Sequence, residues 1–268
     1  MPAVGNGINL STIALLTDFG AGSSYVGIMK GVMLSVNPRI RLVDLTHDIP
    51  QGDIDAAAFV IYQSYSFFPR GTIHTIVVDP GVGTDRRILA VHTDDYYFVA
   101  PDNGVLKYIY DRHPNAQVIS LTEPDFWLQN KSHTFHGRDV FAPVAAHLAM
   151  GTAIRRLGEV TTDYERGNLS KPQKKDKDIK GRIEYIDGFG NCISNIPAAM
   201  LNLKNVQKVQ FKNKNLSDVK NTYGEVKSGE PLVLVGSHNH LEIAVRNGNA
   251  AEKFGVTKGD ELIVKMTS

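Results

Sequence analysis

Three short apolar runs, Ile13–Leu16, Ile40–Leu45 and Ile73–Val78, alternate with two segments whose apolar residues recur every three or four positions. That order restricts the first half of the chain to a parallel sheet covered by helices, because parallel neighbours need a crossover between them. The first helical stripe is Tyr25, Ile28, Met29, Val32, Met33 and Val36, and Asn37-Pro38 ends it, since proline disfavours helix in the residue before it. The second helix is expected from Asp53 to Phe67, closed by Pro69. Ligands of such sheets collect beyond the carboxyl ends of the strands. Two acidic turns lie there, at Asp18 and at Asp79. Shorter strands are expected at Ile88–His92 and Tyr97–Ala100, and a last helix at Arg138 to Met150.

A change of composition follows. Lys171-Pro172-Gln173-Lys174-Lys175-Asp176-Lys177-Asp178 holds no apolar residue and reads as an exposed connection, its positive charge diluted by Asp176 and Asp178. The predicted organisation is an α/β N-terminal domain over 1–168, a linker over 169–179 and a smaller C-terminal domain over 180–268. In the latter, Ile183–Ile186, Cys192–Ile196, Val206–Phe211, Pro231–Val235, Leu241–Val245 and Glu261–Val264 are short, β-branched and separated by Gly or Asn turns. This is the pattern of a small all-β barrel or sandwich.

Charge and cysteine content remove several classes of function. A formal net charge of +1 over 268 residues gives no electrostatic reason to expect a nucleic acid or an anionic membrane as partner. Cys192 is the only cysteine, so there is no internal disulfide and no multi-cysteine zinc site, which fits a reducing, cytoplasmic compartment. Met1 to Leu16 has no basic leader region, and its apolar stretch ends at Thr17-Asp18, so neither a signal peptide nor a spanning helix is expected.

Three polar clusters sit where strands end or helices begin: Thr17-Asp18-Phe19-Gly20, the run from Asp79 to Arg86, and His136-Gly137-Arg138-Asp139. Gly81-Val82-Gly83 lacks the remainder of a phosphate-cradling loop and its lysine. His133 and His136 have no companion ligand at a metal-binding spacing, and no metal is expected. A nucleophile elbow of the G-x-S-x-G type is absent. Taken singly, the polar residues have plain readings. Asp79 and Arg86 suit a structural ion pair, His136 a hydrogen-bonded histidine, and Asp18 a charge at a helix N-terminus. Asp187 and Asn191 suit turn formation in a Gly-rich loop, and Glu242 a strand position.

Together the motifs resemble those of the S-adenosyl-L-methionine (SAM) hydroxide adenosyltransferases, the adenosine-forming SAM hydrolases related to the fluorinating and chlorinating enzymes. Six ordered motifs carry the resemblance: Leu16-Thr17-Asp18-Phe19-Gly20, Val78 to Thr84, Ala100-Pro101-Asp102-Asn103-Gly104, Thr134 to Asp139, Asp187-Gly188-Phe189-Gly190-Asn191 and Leu241-Glu242-Ile243-Ala244. The resemblance implies a Rossmann-like α/β domain with a β-barrel-like C-terminal domain, and attack of water or hydroxide on ribose C5′ with methionine leaving. By motif, Asp79, Arg86 and His136 serve the nucleophile. Asp18 meets the ribose hydroxyls, Asp187 the methionine ammonium, Asn191 the adenine edge and Ser237 the methionine carboxylate, and Glu242 falls at a further substrate-binding position. The halogenases carry Tyr where this chain has Asp79 and His136, and the chain lacks the extra insertion of the fluorinating branch. Ionisable groups there favour hydrolysis, because a carboxylate repels halide and helps withdraw a proton from water. The resemblance further implies a homotrimer with the substrate between subunits, SAM as substrate and no separate cofactor. A SAM or adenosine sensor without turnover, a SAM-dependent halogenase and a nucleoside-processing hydrolase are the competing readings.

Overall fold

The computed structural model describes residues 11–267, so the expectation for the segment before Ser11 lies outside the described residues. The chain forms two compact units that divide between Asn168 and Leu169.

The first unit contains, in order, β1 (Ser11–Thr17), α1 (Ser24–Val36), β2 (Ile40–Thr46), α2 (Ile54–Ser64), β3 (Ile73–Val77), β4 (Ile88–His92), β5 (Tyr97–Pro101), α3 (Lys107–Arg112), β6 (Gln117–Leu121), α4 (Ala142–Ala149) and β7 (Gly158–Val160). Its seven strands lie in the order β2-β1-β3-β5-β4-β6-β7. The β2-β1-β3-β5 part is parallel, as the strand–helix alternation requires. Beyond it the sheet is antiparallel. The reason is local: Thr93 and Tyr96 close a tight turn between β4 and β5, Thr93 N donating to Tyr96 O at 2.9 Å, and so short a connection permits only a hairpin. Ser23 caps α1, which buries Val26, Met29 and Met33 on the sheet. The core joins Ile13 and Leu15 of β1 to Met29 and Met33 of α1, to Phe141 just before α4 and to Val144 within it.

Two helices depart from expectation at their ends. The α2 helix stops at Ser64 and tightens into a 3₁₀ turn over Tyr65–Phe67 ahead of Pro69. The segment expected as helix from Arg138 begins instead as a wide π turn, Gly137–Phe141, before α4 takes over. Such turns recur at functional sites, because the extra residue re-aims the side chains around it.

The second unit contains β8 (Gln173–Lys175), β9 (Asp178–Ile186), β10 (Cys192–Pro197), β11 (Val206–Phe211), β12 (Lys214–Leu216), β13 (Val219–Lys220), β14 (Pro231–Val235), β15 (His240–Val245), α5 (Ala250–Phe254) and β16 (Glu261–Met266). One curled sheet runs β12-β11-β16-β9-β10-β15-β14-β13, with β8 on β9. The first half of β9 pairs with β16 and the second half with β10, which curls the sheet into a half-barrel. Gly181 permits the bend, for a Cβ there would stand 2.5 Å from Ile196 Cγ1. Ile179, Ile183, Ile196, Val209, Leu241 and Val264 fill the interior. The segment 169–179 is not all connection. Residues 173–175 pair with 178–180 as an exposed hairpin arm, a pairing that backbone groups make without any apolar alternation in the sequence. The fold is therefore α/β with a smaller all-β, barrel-like unit.

Candidate active site

The site in the first unit is built at the carboxyl ends of β1 and β3. After β1, the turn Asp18–Gly20 is held by Gly20 N donating to His47 O at 2.8 Å and by Asp18 Oδ2 accepting from Gly52 N at 2.8 Å. After β3, Val82 N donates to Asp79 O at 3.2 Å and Thr84 Oγ1 to Gly81 O at 2.7 Å, folding the loop so that Arg86 returns to Asp79. Gly83 has φ +83°, and a Cβ there would lie 2.8 Å from the carbonyl oxygen of His133, so only glycine lets the loops meet.

Arg86 links the other two members of the cluster. Its Nε donates to both oxygens of Asp79 at 2.9 Å, and its Nη2 donates to Asp79 Oδ2 and, at 2.9 Å, to His136 Nδ1. The pair is nearly sealed, with side-chain exposures of 10% for Arg86 and 6% for Asp79. Buried ion pairs of this kind are costly to break from one side, because the remaining charge has no water. The nearby loop is fixed by Asp139, wholly buried, which accepts from Ser132 N and Oγ at 2.7 Å each and from Arg138 Nε at 2.6 Å. Burial works against the Asp139 charge, but the hydrogen bonds from Arg138 and Ser132 outweigh it and hold the carboxyl below its usual range. Burial, with the positive charges of Arg86 and Lys131, lowers the His136 pKa and keeps the imidazole neutral.

Asp18, Asp79 and His136 line one cleft of about 830 Å³. Phe19, Tyr25 and Phe135 wall it, with ring centroids 4.8–6.0 Å apart in edge-to-face pairs. The volume falls in the range of small-molecule sites. Tyr25, which the helical stripe assigns to the core, is half exposed and faces this cleft instead. Periodicity alone cannot separate a residue under the sheet's helix layer from one at the helix start, beside the mouth of the site.

The remaining predicted residues belong to the second unit. Asp187 Oδ1 accepts from Phe189 N at 2.9 Å and Asn191 N at 2.8 Å, and Oδ2 accepts from Asn191 Nδ2 at 3.0 Å. Both residues thus shape the turn, and Phe189 at its tip is 80% exposed. Glu242 is buried on β15 and accepts from Tyr223 Oη at 2.6 Å. Burial raises the Glu242 pKa, the charge of Asp187 adds to the rise, and the Tyr223 hydrogen bond opposes it. Gly236 lies beside it, and a Cβ there would stand 2.2 Å from Glu242 Oε2 and displace the end of that side chain. Ser237 is exposed in the turn before β15. Tyr223, His47 and the aromatic wall carry no local sequence signal, because each acquires its partner from a distant segment. Among the described residues, no group of three or more His, Cys, Asp or Glu side chains is arranged to hold a metal ion, and no helix is long and apolar enough to cross a membrane.

A mixed sheet whose parallel strands carry an Asp–Arg–His cluster at their ends, followed in the chain by a half-barrel, defines a two-unit α/β protein with a candidate small-molecule site. The pattern of the SAM hydroxide adenosyltransferase N-terminal domain matches residues 13–158, and that of its C-terminal domain matches 181–263. The chain belongs to the SAM hydroxide adenosyltransferase family. It is 34% identical over 255 residues to the (R)-S-adenosyl-L-methionine hydrolase of Salinispora tropica, covering 94% of this chain and 97% of that one. A fluorinase of an Actinoplanes species is more distant, 26% identical over 297 residues and covering 97% of both. Among solved structures, an uncharacterized conserved protein from Thermotoga maritima superimposes with a TM-score of 0.89 at 37% identity, covering 94% of this chain and 99% of that one.

Proposed function

We propose that this chain hydrolyses SAM to adenosine and L-methionine by attack of water or hydroxide on ribose C5′. The observation that carries the reading is the Arg86 guanidinium bonded to both Asp79 and His136 beside the Asp18 cleft. A sulfonium leaves as a neutral thioether, so the leaving group needs no acid. The task is to present an oxygen nucleophile in line, away from bulk water. An arginine nitrogen can only donate, so His136 Nδ1 accepts, and the neutral ring carries its proton on Nε2. His136 then orients the nucleophile as a donor, and Arg86 supplies fixed positive charge that favours hydroxide. The proton acceptor is Asp79, whose Oδ1 receives, among the described residues, only the Arg86 Nε bond. In balance, the C5′–S bond breaks as C5′–O forms, the sulfur keeps the bonding pair, and the water proton passes to Asp79 and on to solvent.

In this reading Asp18 accepts from the ribose hydroxyls, while Asp187, Asn191, Ser237 and Glu242 of the second unit contact methionine and adenine. The family resemblance implies a site completed by another copy, in a homotrimer, and Phe189 stands exposed at the tip of the Asp187 turn. Activity that falls on dilution is expected, and a fully active monomer refutes the arrangement.

The test is chromatographic analysis of purified protein with SAM, with and without excess chloride, beside the Asp79→Ala variant. Equal adenosine and methionine, insensitive to chloride and lost in the variant, is the expected result. 5′-Chloroadenosine would make the chain a halogenase, free adenine a nucleoside hydrolase, and binding without turnover a sensor.

A further inference from the structure

The turn that carries Asp18 is anchored by a line of side chains running back into the first unit. Thr17, wholly buried at the end of β1, has Oγ1 2.9 Å from His47 Nδ1. On the far side of the ring, His47 Nε2 lies 3.0 Å from Asp44 Oδ1, and Asp44 Oδ2 accepts from Lys30 Nζ at 2.6 Å. His47 Nε2 is near Asp44 but not in hydrogen-bond alignment with it, and a ring proton held on Nε2 leaves Nδ1 to accept from the Thr17 hydroxyl. The Thr17 oxygen is then free to accept from Phe19 N, 3.3 Å away across Asp18.

Aspartate, histidine and a hydroxyl in this sequence follow the order of a nucleophilic triad. Thr17 has no exposed surface, however, so no substrate atom reaches its oxygen. The line instead meets a second set of ties from the same segment: His47 O accepts from Gly20 N at 2.8 Å, Asp48 Oδ1 accepts from Ala21 N at 3.1 Å, and Gly52 N donates to Asp18 Oδ2 at 2.8 Å. Asp18 is thereby bracketed, with Thr17 and Phe19 fixed on either side and its own carboxylate held at one oxygen. A carboxylate that must meet two vicinal hydroxyls needs its plane set before the ligand arrives, and such preorganisation is supplied by locked neighbours.

We propose that His47 is a positioning residue which, acting through Thr17, sets the Asp18 carboxylate for the ribose hydroxyls. The proposal rests on the reading of Asp18 as the ribose acceptor. Asparagine at position 47 keeps an acceptor near the place of Nδ1, whereas glutamine carries its amide toward Asp44 and leaves the Thr17 hydroxyl unmatched. Binding of adenosine and of 2′,3′-dideoxyadenosine is measured by calorimetry for wild type, His47→Asn, His47→Gln and Thr17→Val, with KM and kcat for SAM and a thermal melt of each.

Wild type and His47→Asn are expected to prefer adenosine by about tenfold or more, while His47→Gln and Thr17→Val lose most of that preference through weaker adenosine binding alone. For these two variants KM for SAM rises by about the same factor while kcat stays within about twofold. An unchanged preference in a folded His47→Gln overturns the proposal, as does an equal loss of both nucleosides, which marks a general structural defect. A wild-type chain that turns over SAM yet binds both nucleosides alike removes the ribose role of Asp18 and the proposal with it. A chain that forms no adenosine but shows the expected nucleoside preferences sustains the proposal and overturns the hydrolase reading.

Discussion

Arg86 Nη2 donates to His136 Nδ1 across 2.9 Å, and this bond decides which way the imidazole can work. A second proton on the ring would have to displace Arg86 from Nδ1 and set two positive charges in contact. Burial, then Arg86 and Lys131, accordingly depress the His136 pKa below its ordinary 6.5. The sign follows: the productive neutral ring persists through pH 6.5 and is lost only as pH falls through the lowered value. The acid limb of log kcat/KM against pH, where it reports His136, is therefore expected to have its midpoint below 6.5. A His136-dependent midpoint at or above that value contradicts the tautomer assignment.

The roles of Asp79, His136 and Asp18 separate in kinetics. Asp79→Ala and His136→Ala are expected to lower kcat by roughly 10²–10⁴ with KM changed only a few-fold, because they act on the nucleophile. Their effects are expected to be far from additive in the double variant, since Arg86 joins them into one unit. Asp18→Ala is expected chiefly to raise KM. Steady-state kinetics with SAM checks all three, and equal changes in kcat and KM for every variant would undo the division.

How much of this was legible depends on where each partner lies. The β1 turn at Asp18 and the β3 turn at Asp79 are readable, because a short buried strand followed by Gly and Asp is a local pattern. The ion pair of Asp79 with Arg86 spans one loop and is readable as well. The bond from Arg86 to His136 crosses fifty positions and follows only from folding. Strand β6 escapes notice because Gln117 and Ser120 interrupt its apolar run, and β7 because it is only three residues long. The six-residue α3 has no side-chain cap, so nothing in Leu106 or Lys107 announces it. In the second unit the polar hairpin arm at β8 has no apolar face, and the Tyr223–Glu242 bond joins residues whose proximity only the curled sheet creates.

Tyr223 and Glu242 give a stability prediction. The Tyr223 hydroxyl donates at 2.6 Å to a carboxylate buried on β15, and burial and the Asp187 charge already press that carboxylate toward its protonated form. Tyr223→Phe removes the donor while keeping the ring, and is expected to destabilise the second unit by about 1–3 kcal/mol. Glu242→Gln retains an acceptor and removes the buried charge, so the same loss is not expected there. Denaturant unfolding of the two variants beside wild type checks the order, and a Tyr223→Phe midpoint equal to wild type refutes it.

His74 gives the last prediction, on acid stability. It lies on β3 with no exposed surface, stacked on Phe98 at 5.2 Å and edge-on to Phe68 at 5.2 Å. Burial pushes its pKa down to about 3 from an ordinary 6.5. The unfolded chain takes up a proton near pH 6.5 that the folded chain refuses until about pH 3, so the unfolded state binds more protons throughout that window. Stability contributed by keeping His74 neutral is therefore complete above pH 6.5 and declines as pH falls toward 3. At about pH 5 this one site accounts for a loss on the order of 2 kcal/mol relative to neutral pH. Replacing it with Phe leaves an aromatic ring among Phe68 and Phe98 and removes the titration. Unfolding free energies of wild type and His74→Phe, measured at about pH 7.5 and pH 5, should differ in their pH dependence by that amount, with the variant the less acid-sensitive. Equal losses in the two proteins would mean that the folded chain admits the His74 proton near its ordinary pKa.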